Sequence, residues 1–316
     1  MRAANVAIIG IKGKYGRWLE QFFNHLIPEG VVASVFGSDV GTTETNRDVA
    51  SRADVVIVAV PPRVTVEVIR EIAPVLKSDQ LIMDLTSLKV GPVRAMLESR
   101  AEVRGLHPMC APPRLPNWRG QTVADCPVRL KQWRAWSDEV LRLSGARLKV
   151  CRPEQHDYHM AVVQVLVHAT ELVMASVIRQ MGVDVRESLE YTSPIYRIAL
   201  SLIGRILQQN HELYADIQML NPEAVAVLQT AEQELGRFRH IVEAGDRRQF
   251  TADFLASREH FGDEVLQENF NLFELLNQLM VDHGSGDRVA IDVPEQQDQP
   301  GVLHRLPSAF LAEGIN

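Results

Sequence analysis

Residues 6–18 read VAIIGIKGKYGRW. The apolar run Val6 to Ile9 ends on Gly10, and Gly13 and Gly16 follow at the start of a stretch with helical character. A short apolar run closed by glycines and followed by a helix opens a βαβ unit. Glycine lets the backbone turn tightly and approach a pyrophosphate, whose charge the exposed helix-start amides stabilise. The spacing is GxxGxxG where GxGxxG is usual. Its position in a first βαβ unit favours a dinucleotide site over a plain turn, with Gly10, Gly13, Lys14, Tyr15 and Gly16 along the phosphates.

Working outward, further β-branched runs occur at Val31 to Phe36, Val55 to Val60, Leu81 to Asp84 and Glu102 to Leu106, each separated by helical stretches. Strands buried on both faces of a parallel sheet read as such continuous runs. Residues 1–150 are therefore expected to form an α/β, doubly wound, Rossmann-type dinucleotide-binding domain. The second run leads into Asp39, placed to accept hydrogen bonds from an adenosine ribose as in NAD enzymes, while Gly37 and Ser38 equally leave room for a 2'-phosphate. NAD is the preferred cofactor, with NADP left open. The third run ends on Val60, Pro61 and Pro62, where the ligand crevice of such a sheet lies.

Beyond LKVCRPEQHD the pattern changes to long helical periodicity, broken near Gly182, Pro194 and Pro222. Residues 151–283 are expected to form an all-α helical domain for substrate binding and dimerisation. Residues 284–316 read as a flexible linker, GSGDRVAIDVPEQQDQPG, followed by a short apolar tail.

The 316 residues, 46% hydrophobic and 23% charged, suffice for a substantial core. A net charge of -7 offers no basic footprint for nucleic acid or an anionic membrane, so a small-molecule ligand is the expected partner. No apolar run is read as approaching the ~20 residues of a bilayer span, and the expected compartment is the cytoplasm. The three cysteines, Cys110, Cys126 and Cys151, show no CxxC spacing and fit reduced thiols.

The chemistry-bearing stretches sit at the ends of the fourth and fifth runs. LIMDLTSLK places Ser87 and Lys89 after the fourth, and GLHPMCAP places His107 after the fifth, at the same crevice edge. A serine hydroxyl can orient a neutral imidazole, which can then accept a proton from an alcohol being oxidised. Read singly, Ser87 is equally a helix cap, Lys89 a solvated charge and His107 a loop residue. His156 and His159 form an HxxH pair with Asp157 between them. Asp157 reads more simply as favourable charge near a helix start, and no metal is assigned.

Taken together, DLTSLK, GLHPM, HDYHMAVVQVLVHAT and TSPIYRIALSLIGRILQQNHELYADI resemble the prephenate dehydrogenase family over residues 5 to 282. The resemblance is closest to the dehydrogenase half of bifunctional chorismate mutase/prephenate dehydrogenases, without the mutase helix that precedes it there. It implies that His107 is the catalytic histidine, Ser87 its hydrogen-bonding serine and Lys89 a neighbouring active-site lysine. It also implies that Arg205 holds the ring carboxylate, that His168, Gln164 and Tyr214 line the substrate pocket, and that Arg197 is a second arginine of more structural character. Prephenate is a dianion, and a planar guanidinium gives a two-pronged hold on a carboxylate. Gln164 and His168, four apart, share a helix face.

The implied reaction is NAD-dependent oxidative decarboxylation of prephenate to 4-hydroxyphenylpyruvate, on the tyrosine branch of aromatic amino acid biosynthesis, in a homodimer. Two other readings stand beside it. HPMCAP replaces the HPMFGP of many members, so 4-amino-4-deoxyprephenate, with nitrogen at the oxidised carbon, is an alternative substrate. From another class, the chain could be a catalytically silent nucleotide-binding sensor.

Overall fold

A computed structural model describes residues 2–285; the linker and tail expected over 284–316 lie outside them apart from Gly284 and Ser285. The first half alternates β1 (Ala4–Ile9), α1 (Lys14–His25), β2 (Val32–Ser38), α2 (Asn46–Arg52), β3 (Val55–Val58), α3 (Pro62–Ile72), β4 (Leu81–Asp84), α4 (Val90–Leu97) and β5 (Glu102–Pro108). It continues with β6 (Thr122–Arg129), α5 (Arg134–Leu143) and β7 (Arg147–Val150). The seven strands form one sheet in the order β2-β1-β3-β4-β5-β6-β7, parallel except where β6 pairs antiparallel with β5. The order reverses between β1 and β3, the topological switch point at whose C-terminal edge ligands bind in open α/β sheets.

Side chains of β1 alternate between two cores, as period 2 requires. Val6 and Ile8 join one face with Trp18, Phe22, Phe23, Trp118 and Trp136, where the Trp18 and Trp118 rings stack with centroids 4.8 Å apart. Ala7 and Ile9 join the other with Val49, Ile69 and Ile72. The aromatic layer clamps α1, and so the glycine turn before it, to the sheet.

Two strands were not anticipated. β6 carries Asp125 and Pro127 among its apolar residues, and β7 is exposed along its whole length, so neither reads as a buried run. The fifth strand also extends further than expected: His107 lies within β5, opposite Ala124 of β6, and does not follow the strand.

The helices that follow are α6 (Pro153–Met160), a π-helical segment (Ala161–Leu166), α7 (Val167–Gln180), α8 (Val185–Ser188), α9 (Pro194–Leu207), α10 (His211–Leu220), α11 (Ala224–Ala244), α12 (Arg247–Phe261) and α13 (Asp263–Ser285). Gly182 adopts φ 68° after α7, and Pro194 occupies the first turn of α9, where its missing N–H costs nothing. The described residues divide between Arg239 and His240 into two compact units. The first holds the sheet and the helices through α10, and in the second α12 and α13 pack on each other.

One expectation is corrected here. The continuous run Pro153–Gln180, 28 residues, is long and apolar enough to cross a membrane. It also carries His156, Asp157, Gln164, His168 and Glu171, groups that are costly in hydrocarbon.

β6 is held to β5 by a buried ion pair: Arg104 donates from Nε and Nη2 to the two oxygens of Asp125 at 2.8 and 2.7 Å, and from Nη1 to Ser137 and Asp138. Removing one partner of such a pair strands a buried charge. Arg104→Ala is expected to lower the unfolding free energy by about 3–5 kcal/mol, read from the midpoint of urea denaturation at constant slope.

Candidate functional site

The glycine turn forms at the switch point. Gly10 adopts φ 91°, reached easily only by glycine, and its N–H donates to Ser38 O of β2 at 2.8 Å. A Cβ on Gly10 would stand 2.6 Å from Ala59 O, so the turn lies directly against the end of β3 where Val60 and Pro61 begin the approach to α3. A Cβ on Gly16 would overlap the Gly10 carbonyl, which makes glycine obligatory in the first turn of α1. That helix starts at Gly13 with no side-chain cap and no acidic residue in its first turn. Its first amides thus lack the carboxylate or hydroxyl that caps most helices, which fits an anionic pyrophosphate in that role. Lys14 is exposed beside it.

Asp39, at the end of β2, accepts from Lys12 N at 2.8 Å and from Val40 N at 2.7 Å. Each oxygen keeps a further lone pair, but the carboxylate also braces its own loop. Gly37 serves strand packing, since a Cβ there would overlap Ile8 O, and Ser38 is buried with its hydroxyl on Asn46. Both residues thus have structural roles of their own beside the alternative of leaving room for a 2'-phosphate.

Tyr15 joins the turn to the second part of the site. Its hydroxyl donates to Cys110 O at 2.6 Å, and burial pushes the phenol up, so it remains a donor. Cys110 lies three residues past His107.

His107 is only 4% exposed. Burial, then His156 and Lys89, hold its pKa well below the ordinary 6.5, so the ring is neutral near pH 7. Its Nδ1 lies 2.9 Å from Nε2 of His156, whose own Nδ1 lies 2.7 Å from Asp157 Oδ1. Among the described residues no hydrogen bond joins Ser87 to His107: the serine is half-buried before α4, and the imidazole's partner is His156. Lys89 is fully buried rather than solvated. Its ammonium pairs with Asp84 Oδ2 and donates to Leu106 O at 2.7 Å, fixing the backbone just before His107.

The sequence presents His156 only as part of an HxxH pair and Asp157 as a helix-start charge. Both ring nitrogens of His156 are engaged, leaving it no part in an HxxH pair with His159. A signal was present: on α6 they fall in register with Met160, Ala161 and Val165, which are buried, so the pair had to point inward.

A second cluster forms among the helices. Arg205 Nη1 donates to the Tyr214 hydroxyl at 3.3 Å, and His168 meets the Tyr214 ring edge-to-face at 4.8 Å. Burial, then the Arg205 charge, push the His168 pKa down, and its Nδ1 is buried without a partner. Gln164 is half-buried in the π-helical segment, so its four-residue spacing from His168 does not give regular α-helical stacking. Arg197 is exposed two turns before Arg205 and belongs to neither cluster.

Comparison with known proteins bears on both parts. The family model described as "Prephenate dehydrogenase, nucleotide-binding domain" matches residues 33–148, and "Prephenate dehydrogenase, dimerization domain" matches residues 152–255. A Methanocaldococcus jannaschii protein named "Probable arogenate/prephenate dehydrogenase" is 35% identical over 278 residues, 82% of this chain and 61% of that protein. This chain thus spans less than two thirds of that relative. The T-protein of Haemophilus influenzae is 33% identical over 276 residues, 86% of this chain and 72% of its own length. The 4-amino-4-deoxyprephenate dehydrogenase of Streptomyces pristinaespiralis is 30% identical over 213 residues, 67% of this chain and 71% of its own length. Among solved structures, prephenate dehydrogenase from Aquifex aeolicus in complex with hydroxyphenyl propionate and NAD+ superposes with a TM-score of 0.60 over 83% of this chain and 99% of that one. At 18% identity this likeness concerns the fold alone.

Gly16→Ala tests the turn. The methyl must displace the Gly10 carbonyl, and such overpacking costs about 1–3 kcal/mol. The variant is expected to melt at a lower temperature and to bind nicotinamide dinucleotides more weakly, measured by calorimetric titration.

Proposed function

The chain belongs to the prephenate dehydrogenase family, and from that premise we propose that it catalyses the NAD-dependent oxidative decarboxylation of prephenate to 4-hydroxyphenylpyruvate. The observation that carries this reading is the buried, neutral His107 at the C-terminal edge of the sheet, tied through Cys110 and Tyr15 to the glycine turn. A neutral imidazole kept out of water is a proton acceptor ready at physiological pH.

In this account the dinucleotide supplies the hydride acceptor at the ring carbinol. Gly10, Gly13, Lys14, Tyr15 and Gly16 hold its phosphates, Asp39 its adenosine ribose, and Val60 and Pro61 flank it. His107 takes the hydroxyl proton as the carbinol is oxidised, and the ring carboxylate then leaves as carbon dioxide. Aromatisation drives the step downhill, so the protein contributes mainly orientation and proton transfer. Lys89 is assigned to fixing the end of β5, and Ser87 stands half-buried in the loop between β4 and α4, at the same edge of the sheet. The free guanidinium donors of Arg205 take the ring carboxylate as a fork. Tyr214, His168 and Gln164 line the pocket, and Arg197 offers a further cation to a dianion.

Two copies are assigned to one enzyme. In the first unit Ile195, Leu207 and the exterior of the Pro153–Gln180 run, and in the second Phe254 and Phe270, expose apolar surface that pairing would cover.

A second reading takes 4-amino-4-deoxyprephenate as substrate, with His107 accepting the proton from nitrogen. It is favoured by Cys110 and Ala111 beside the histidine and by the Streptomyces relative of that name.

Formation of reduced nicotinamide, followed by absorbance with prephenate and with its 4-amino analogue and with NAD and NADP, tests these readings. Turnover of prephenate with NAD is expected. Exclusive turnover of the amine would transfer the assignment, and dinucleotide binding without turnover of either would make the protein a sensor. His107→Asn is expected to lower kcat by ~100-fold or more at unchanged cofactor affinity. Arg205→Ala is expected to raise the prephenate KM by ~10- to 100-fold, the loss of a charged hydrogen-bond pair.

The pH profile carries a sign. Because the folded pKa of His107 is depressed, the base is competent above it and is lost as pH falls through it. The acid limb of kcat/KM is therefore expected below pH 6.5, the ordinary histidine value.

A further inference from the structure

The side chain of Asp157 fixes the direction of every hydrogen bond that leads to His107. Its Oδ1 accepts from Lys89 N at 2.8 Å and its Oδ2 from Val90 N at 2.9 Å, so the first turn of α4 orients both oxygens. A carboxylate has only lone pairs to offer. The His156 Nδ1 facing Oδ1 at 2.7 Å must then carry a proton and donate it. With His156 neutral, that is the ring's one N–H, and its Nε2 presents a lone pair. His107 Nδ1, 2.9 Å from that lone pair, must be protonated in turn, which leaves His107 Nε2 bare.

We propose that His156, neutral and polarised by Asp157, is a positioning residue that sets His107 in the tautomer whose Nε2 is the base. The proposal rests on the reading of His107 as proton acceptor, but the tautomer it specifies exists without substrate. In the step itself the substrate O–H bond breaks, an Nε2–H bond forms, and the oxygen keeps the electron pair that becomes the new carbonyl as the carbon gives up its hydride, for which the dinucleotide of the proposed reaction would be the acceptor. His107 is then an imidazolium still donating from Nδ1 to His156, with Asp157 the anion two hydrogen bonds away. Among the described residues the Lys89 ammonium, paired with Asp84, also acts on His107. The Lys89 ammonium opposes the imidazolium, and Asp157, at the far side of His156, offsets it. The rings meet at 72°, so the contact is a directed hydrogen bond and not a stack.

The test begins with the intact protein carrying ¹⁵N-labelled histidine, with the His107 resonances assigned by their loss in His107→Asn. Shifts showing Nδ1 protonated and Nε2 unprotonated are expected near pH 7, and the reverse pattern overturns the proposal. A second arm compares two variants. His156→Gln keeps an acceptor for His107 and a donor for Asp157, whereas His156→Leu keeps neither. With the prephenate assay, His156→Leu is expected to lose ~100-fold or more in kcat, and His156→Gln to stay within about tenfold of wild type. Prephenate KM and cofactor dissociation constant should hold in both, and His107 in the leucine variant should show the other tautomer. Equal losses in the two variants would reduce His156 to packing and end the proposal. If wild-type protein oxidises neither substrate, the functional reading fails while the nitrogen shifts still decide the tautomer.

Discussion

The Asp157 carboxylate reaches from α6 to the first turn of α4 and closes two backbone N–H groups, that of buried Lys89 and that of half-buried Val90. An unmade hydrogen bond at such a position costs about 1–3 kcal/mol, so the joint between the sheet and the helices that follow is also a requirement of burial. Asn221 donates to the Asp157 carbonyl at 3.0 Å, bringing the turn after α10 to the same place. Nearby in the chain, Arg63 at the start of α3 contacts Asp216 of α10 through its backbone N–H and its guanidinium. The helices that carry Gln164, His168, Arg205 and Tyr214 are thus registered on the nucleotide-binding sheet by polar contacts. Such contacts tolerate little slippage, because hydrogen bonds lose strength steeply with distance and angle.

The same burial explains the electrostatics of the edge. Lys89 and Asp84 are fully enclosed, and charges so placed must be paired. They reach the end of β5 because residue 105 is glycine: a Cβ there would stand 3.2 Å from both Asp84 Oδ1 and Lys89 Cδ. The glycine of GLHPM therefore admits the ammonium to the Leu106 carbonyl, and that ammonium in turn disfavours protonation of His107. Strand geometry, the buried ion pair and the neutral imidazole are one arrangement, and each part is intelligible only with the others in place.

Much of this was legible in the order of residues. Val6 to Ile9, Val55 to Val60 and Leu81 to Asp84 announced themselves because a strand covered on both faces must be apolar throughout, and Gly10 and Gly16 because their positions admit no Cβ. β6 escaped because Asp125 and Pro127 interrupt its apolar run, and β7 because an edge strand owes its structure to a neighbour's hydrogen bonds more than to its own hydrophobicity. His107 was visible from its motif. Its partner was misassigned to Ser87, which lies in the adjoining loop, when the nitrogen it meets belongs to His156, 49 residues further on.

The sequence by itself determined the strand and helix periods, the glycine turn and the residue types able to hold a dianion and move a proton, because these depend on local sterics and chemistry. Only the tertiary structure decided that α6 would dock on α4, that Lys89 would be buried and not solvated, and that a second imidazole would stand behind the first. Those outcomes follow from satisfying buried polar groups between segments far apart in the chain, and no local pattern specifies which donor meets which acceptor.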